Sequence, residues 1–132
     1  MNLAYQTPAR AYRQNHVYTA DRGTILLMLY QGAIDFLQKA KSALSEGDLA
    51  AKGTYVSRGH AIISEFLSSL NHEAGGDLSQ KLEDLYRFML DQLMEAHLSN
   101  AERPLEVVIS LLETLKEGWE GAVVQARQEG LL

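Results

Sequence analysis

The chain has four histidines, the residue type best suited to metal binding or acid–base chemistry near neutral pH. They are His16, His60, His72 and His97. None occurs in the Glu-x-x-His or His-Glu-x-x-His spacing that places metal ligands on one face of a helix. His72 is followed by Glu73, but the glycines that come next favour a loop there. We therefore expect no metal site, no catalytic residues and no cofactor.

Phosphohistidine transfer also uses four-helix bundles, so His60 and His97 are candidates for that chemistry. His60 follows Arg58 and Gly59, and His97 lies near a predicted helix end. Neither is followed one turn later by the Lys-Gly pair that such domains usually show. The sequence also has no Gly-x-x-x-x-Gly-Lys loop for nucleotide phosphates and no cysteine for thiol chemistry.

Charge and hydropathy exclude two further kinds of partner. The net charge is −5 and the basic residues are scattered, whereas nucleic-acid binding needs a basic surface. The longest strongly apolar run, residues 25–30, is far shorter than the roughly 20 residues that span a bilayer. Residues 1–6 lack the charged-then-apolar layout of a signal peptide. We therefore expect a cytoplasmic protein with no nucleic-acid partner and no membrane insertion.

Apolar residues recur at spacings of three and four along most of the chain, and no stretch alternates with the period of a strand. This pattern predicts an all-α protein, an antiparallel up-and-down four-helix bundle with an N-terminal arm packed on it. A single domain covers residues 1–132. The arm and the four helices are predicted at residues 1–18, 21–46, 49–71, 78–98 and 104–127.

Local signals mark the predicted helix ends. Thr19 or Asp21 supplies the first N-cap, and Gly47 ends the first helix. The glycine pair that begins at Gly75 separates the second helix from the third, and Pro104 lies in the first turn of the fourth.

The first predicted helix has more apolar surface than one core contact needs. A helix turns by about 100° per residue, and with Leu29 at the centre one stripe of apolar side chains is predicted to face the core. The stripe consists of Ile25, Leu26, Leu29, Ala33, Phe36, Leu37, Ala40 and Leu44. Leu27, Tyr30 and Ile34 widen the apolar arc to roughly 200°, against somewhat over 100° for a typical surface helix. The extra apolar side of this helix is predicted to form a surface groove. It could be covered by the N-terminal arm, by a second copy of the chain or by a foreign amphipathic segment. The arm could also cover it until a partner displaces the arm.

The sequence resembles the signature of the flagellin export chaperone family, the FliS proteins. The similarity runs through Asn15-x-Val17-x-Thr19-Ala20 and Met28-Leu29-Tyr30-x-Gly32-Ala33-Ile34-x-Phe36-Leu37. Further matches follow in order: Ile62-Ile63, Gly75-Gly76-Asp77-Leu78, Leu85-Tyr86-x-x-Met89, Leu93-x-x-Ala96 and Trp119. The likeness covers nearly the whole chain, although Gln31 stands where the family usually has Asp and Arg22 where it usually has Pro.

The resemblance implies a chaperone that is not an enzyme. Such a protein binds the disordered C-terminal segment of newly made flagellin, prevents its premature polymerisation and delivers it to the flagellar export gate without ATP. Other flagellar regulators dock on some relatives. The expected partner-binding residues are Tyr5, Tyr12, Val17, Leu27, Tyr30 and Ile34.

Two other functions also fit a helical bundle of this composition. One is a regulatory or phosphotransfer domain, for which acid-labile phosphate on His60 or His97 would be diagnostic. The other is a self-associating structural bundle, whose extra apolar stripe would be a homodimer interface. A chaperone that keeps this stripe free for a partner is expected to be a monomer or a weak homodimer.

Overall fold

Four helices make up the part of the chain that the structure, a computed structural model, describes, which is residues 21–131. They are α1 (Arg22–Ser45), α2 (Leu49–Ser68), α3 (His72–Ser99) and α4 (Arg103–Gln128), with no strand among these residues. Each helix packs against the next one in the chain, and α4 packs back against α1. Because short links join consecutive neighbours, adjacent helices run antiparallel. The predicted all-α bundle is confirmed. Within the described residues, no helix combines the length and apolar character needed to cross a membrane.

Side-chain and glycine caps set the ends of α1. Asp21, one of the two predicted N-caps, accepts a hydrogen bond from the Thr24 N–H at 2.8 Å. Gly47 follows the helix with a φ of 76°, and the N–H groups of Gly47 and Asp48 donate to two carbonyls of the last turn. This is the Schellman arrangement that a glycine in this position favours. The predicted arm, residues 1–18, lies outside the described residues.

The break predicted between the second and third helices is a kink inside α3. Helical structure begins at His72, with Asn71 as the N-cap, and not at the predicted residue 78. Gly76 then takes a φ of 52° and a ψ of −126°, a conformation that side chains disfavour. A Cβ at Gly75 would collide with Ser79, whose hydroxyl donates to the Asn71 carbonyl at 3.0 Å. The two glycines therefore allow the chain to turn tightly at the start of α3.

Aliphatic and aromatic side chains from all four helices fill the core. α1 and α2 approach closely at Gly59, where a Cβ would lie 2.7 Å from Leu37 Cδ2. A larger residue at this position would therefore displace Leu37 from the core. The largest fully enclosed side chains are Tyr30, Leu37, Ile63, Met89, Leu93, Leu105, Val108 and Leu112.

The buried face of α1 is rotated by about one residue from the predicted one. Leu29, predicted at its centre, is 39% exposed, whereas Tyr30 and Ile34 are 0% and 5% exposed and belong to the core. Burial of Tyr30 is favourable because its hydroxyl finds partners inside the bundle, which hydropathy does not show. The placement of Tyr30 and Ile34 beside a surface groove is therefore wrong. The observed stripe is Leu26, Tyr30, Ala33, Leu37, Ala40 and Leu44.

Lys52, a buried residue of α2, holds the end of α3. Its ammonium group donates to the carbonyls of Ala96 and His97, at 3.2 and 3.0 Å, and to Asn100 Oδ1 at 2.5 Å. Three acceptors satisfy the three donors, and a positive charge at a helix C-terminus is favoured by the helix dipole. Asn100 ends α3 in the left-handed conformation, with a φ of 55°. These contacts close the end of the bundle where α2 begins and α3 ends.

We expect Ile34→Ala to lower the free energy of unfolding by about 2–5 kcal/mol, the usual cost of such a truncation in a core. Urea denaturation followed by circular dichroism measures this change. Met28→Ala, at an exposed position of the same helix, is the matched control and should change stability by less than about 0.5 kcal/mol. Equal effects of the two substitutions would contradict the assignment of Ile34 to the core.

We expect Lys52→Met to cost about 1–3 kcal/mol, because it keeps the aliphatic stem but leaves buried carbonyls without their donor. Lys41→Met is the control, since Lys41 reaches Glu102 and Glu106 only through exposed ion pairs of 3.7 Å. Such pairs contribute little. Denaturation curves of the two variants provide the measurement. If the Lys52→Met protein is as stable as the parent, the ammonium group makes no net contribution to the free energy of unfolding.

Candidate functional site

Each helix contributes one aromatic side chain to a cluster in the bundle. The aromatic cluster consists of Tyr30 from α1, Phe66 from α2, Tyr86 from α3 and Trp119 from α4. The rings of Tyr30 and Phe66 stack with their centroids 4.5 Å apart, and those of Phe66 and Tyr86 are 5.6 Å apart. These separations are in the favourable range for aromatic pairs. The cluster therefore ties all four helices together at one level of the bundle.

Hydrogen bonds inside the aromatic cluster satisfy its polar atoms. The Trp119 indole N–H donates to Tyr30 Oη at 3.0 Å, and the hydroxyls of Tyr30 and Tyr86 are hydrogen-bonded to each other. Burial raises the pKa of both Tyr30 and Tyr86, and for Tyr86 the hydrogen bond with Tyr30 raises the pKa further. Both hydroxyls therefore stay neutral at physiological pH, so the cluster presents an uncharged surface to whatever packs on it.

An open groove lies against the aromatic cluster at the end of the bundle where α1 begins and α2 ends. We call it the end groove; its volume is about 390 Å³. The last turn of α2 and the kinked start of α3 form two of its walls, and Trp119 of α4 and Leu26 of α1 complete the rim. Leu78 is 56% exposed here. The apolar lining residues are Leu26, Phe66, Leu70, Leu78, Leu82, Tyr86 and Trp119.

The end groove is suited to an apolar side chain or helix face. Among residues 21–131, no Asp, Glu, Lys, Arg or His lines it, and the aromatic hydroxyls beneath it are already paired. Its volume falls within the range of about 300–1,000 Å³ that is usual for binding pockets. Amphipathic segments commonly bind by placing apolar side chains in grooves of this kind. Apolar side chains dominate its lining among the described residues, which suits the binding of an apolar segment.

The six predicted partner-binding residues do not form one groove within the described part of the chain. Tyr30 and Ile34 are core residues, and Leu27 is half-buried. Contact of Leu27 with a partner stays a prediction. The remaining three lie outside the described residues: Tyr5, Tyr12 and Val17.

The surface beside Ile34, where the sequence predicted an apolar groove, is a polar seam between α1 and α4. Ile34 lines a shallow space there, but its other lining residues are charged or polar. Lys116 and Glu120 form an ion pair on this surface at 2.5 Å. An apolar segment would have to remove water from these groups, which is unfavourable. The other lining residues are Gln31, Glu113, Lys116, Glu117 and Glu120.

The histidines of the described region do not form a metal site. His60 and His97 line a cleft of about 220 Å³ between α2 and α3, together with Met94 and smaller groups. His72 lies at the surface, 3.5 Å from Glu83. No group of three His, Asp or Glu residues that could hold a metal occurs among residues 21–131.

Sequence reasoning missed the rim residues that open the end groove. Leu78 is exposed and Trp119 is half-buried, and neither was among the predicted partner-binding residues. The available signal was the position of Leu78 two residues after the glycine pair, where a change of helix direction leaves an apolar side chain at the bundle end.

Comparisons with known proteins agree with this bundle over most of its length. A family model described as "Flagellar protein FliS" matches residues 4–126. The "Flagellar secretion chaperone FliS" of Bacillus subtilis (strain 168) is 30% identical over 127 residues, covering 96% of this chain and 94% of that protein. The protein of the same name from Salmonella typhimurium (strain LT2) is 34% identical over 116 residues, covering 84% and 86%. The one from Campylobacter jejuni is 33% identical over 118 residues, covering 89% of each. These matches favour the chaperone hypothesis over a phosphotransfer domain or a structural bundle.

We expect the stability of the protein to fall above about pH 10, the usual pKa of a tyrosine. In the unfolded chain Tyr86 loses its proton there, whereas the raised pKa keeps the proton on in the folded state. Its stabilising contribution is therefore complete below pH 10 and is lost as pH rises further. Tyr86→Phe should flatten this decline, as measured by urea denaturation between pH 8 and 11. Parallel declines in the two proteins would contradict the buried, hydrogen-bonded state of Tyr86.

Proposed function

The chain belongs to the FliS family and is a flagellar secretion chaperone; we propose that it binds the C-terminal segment of flagellin, prevents premature polymerisation and delivers flagellin to the export apparatus. We further propose that the end groove is the place where this client segment docks. The observation that carries the proposal is the uncharged groove of about 390 Å³ against the aromatic cluster. Its exposed apolar rim leaves room for a partner.

The physical chemistry of the client supports this assignment. A segment that packs into a filament has an apolar face, and free flagellin with that face exposed would self-associate. Docking the face on the bundle removes it from water. If the segment folds as it binds, part of the free energy of binding offsets the conformational entropy lost on ordering it. A large contact area then gives only moderate affinity. Release then needs a competing partner and no ATP.

Further contacts of the client follow from the resemblance. Leu26 lines the end groove, and Leu27 follows it on α1 and stays a candidate contact. Tyr5, Tyr12 and Val17 precede α1 and stay candidate contacts. We propose a component of the flagellar export gate as a second partner, other flagellar regulators as additional ones, and the cytoplasm as the location of this monomer or weak homodimer.

Calorimetric titration with the C-terminal segment of flagellin from the same organism tests the proposal, with helicity followed in parallel by circular dichroism. Saturable one-to-one binding with a strongly negative heat-capacity change and a gain of helix would support it. The absence of binding at tens of micromolar would contradict it. In that case acid-labile phosphate on His60 or His97 and light scattering across concentrations test the two alternative functions.

We expect Leu78→Asp to weaken binding of the segment at least tenfold, or about 1.4 kcal/mol, because it places a charge in the apolar end groove. Melting should change little, since Leu78 is exposed. Leu98→Asp makes the same change at the other end of α3, where Leu98 is 75% exposed, and is the matched control. Equal loss of affinity in both variants would show that the end groove is not the docking site.

A further inference from the structure

The two halves of α4 are attached to the bundle very differently. Residues 104–112 supply five buried side chains to the core, whereas Val123 is the only buried side chain between residues 113 and 128. Leu115, Trp119 and Ala126 are half-buried in this second half. The second half of α4 therefore has much less apolar anchoring than the first half.

Two glycines weaken the helix where this anchoring is lost. Gly118 and Gly121 are exposed, and a Cβ at either position would meet nothing within 4 Å. Gly59 differs, because a Cβ there would meet Leu37. Packing therefore does not require glycine at positions 118 and 121, yet glycine lowers helix propensity at both. The sequence makes α4 easiest to unwind or bend at this point.

Besides the buried Val123, one hydrogen bond in the aromatic cluster and a partly exposed ion pair hold the remainder of α4 to α1. The Trp119 indole N–H donates to Tyr30 Oη at 3.0 Å. Near the end of the helix, the Arg127 guanidinium reaches both carboxylate oxygens of Asp21, at 3.0 and 3.1 Å, and the Thr24 hydroxyl. The Arg127 and Asp21 side chains are partly exposed, so water can replace their ion pair at small cost. Contacts of this kind break more readily than a packed core.

We propose that residues 118–128, the gate segment, open as a unit about Gly118 and Gly121 and so control access to the end groove. Trp119 links this opening to the end groove, because it belongs to the gate segment and lies on the rim of the groove. Opening moves the indole away from Tyr30 and widens the groove towards Leu82 and Tyr86. The role of the gate rests on the proposed function, since the molecule that it admits is the flagellin segment.

Amide hydrogen exchange of the full chain, followed by mass spectrometry, tests the opening itself. Peptides from residues 118–128 should exchange at least tenfold faster than those from residues 105–112, and at a common rate. Gly118→Ala combined with Gly121→Ala should slow this exchange about 25-fold, roughly fivefold for each glycine from helix propensity. A gradient of rates that falls inward from Gln128 would indicate simple end fraying and overturn the proposal.

The same variants test whether opening controls entry of the client. If only the open form admits the segment, the association rate of the double variant falls by the same factor as its exchange. Gly32→Ala is the matched control: it improves helix propensity in α1, where a Cβ would make an ordinary 3.7 Å contact with Ile62, and should leave association unchanged. Arg127→Gln should speed both exchange and association.

The outcomes separate the gate from the proposed function. Slower exchange with an unchanged association rate would overturn the gate and leave the chaperone proposal intact. Cooperative exchange of residues 118–128 in a protein that binds no flagellin segment would overturn the proposed function, and the gate's role with it. Matched slowing of exchange and association would support both.

Discussion

The Tyr30 hydroxyl is the constraint on which the arrangement of the four helices depends. A phenol can be buried only where its oxygen finds partners, and here Tyr86 and Trp119 supply them from two other helices. This requirement sets the rotation of α1, which turns Tyr30 and Ile34 inward and leaves Leu29 at the surface. The same hydrogen bonds leave a neutral aromatic floor beneath the end groove.

The two ends of the bundle are built in opposite ways. At one end, Lys52 fills the space under the last turn of α3 and satisfies three acceptors there. At the other, the glycine pair at the start of α3 bends the chain and leaves apolar side chains around the end groove. The Lys52 ammonium group satisfies the free carbonyls at the end of α3 and so closes that end of the bundle. The kink at the start of α3 leaves the other end open. The asymmetry explains why the apolar groove forms at this end of the bundle.

A bundle of this kind suits a chaperone that works by covering its client. The described residues that line the end groove are uncharged, so the docking proposed there is driven mainly by burial of apolar surface. The family assignment and the groove support each other, because a secretion chaperone needs a reversible apolar contact. The weak anchoring of the last turns of α4 adds a means of access that a uniformly packed bundle would lack.

The sequence by itself determined the class of fold and most helix ends, because periodicity, caps and glycines act over a few residues. Gly47 and Pro104 mark the end of α1 and the start of α4 for this reason. Tertiary structure decided which stripe of α1 is buried, since the stripes through Leu29 and Tyr30 are similarly apolar and only the partners on α3 and α4 distinguish them. It also placed Lys52 in the interior and created the end groove. Both depend on atoms from helices far apart in sequence, and no local pattern records how those atoms meet.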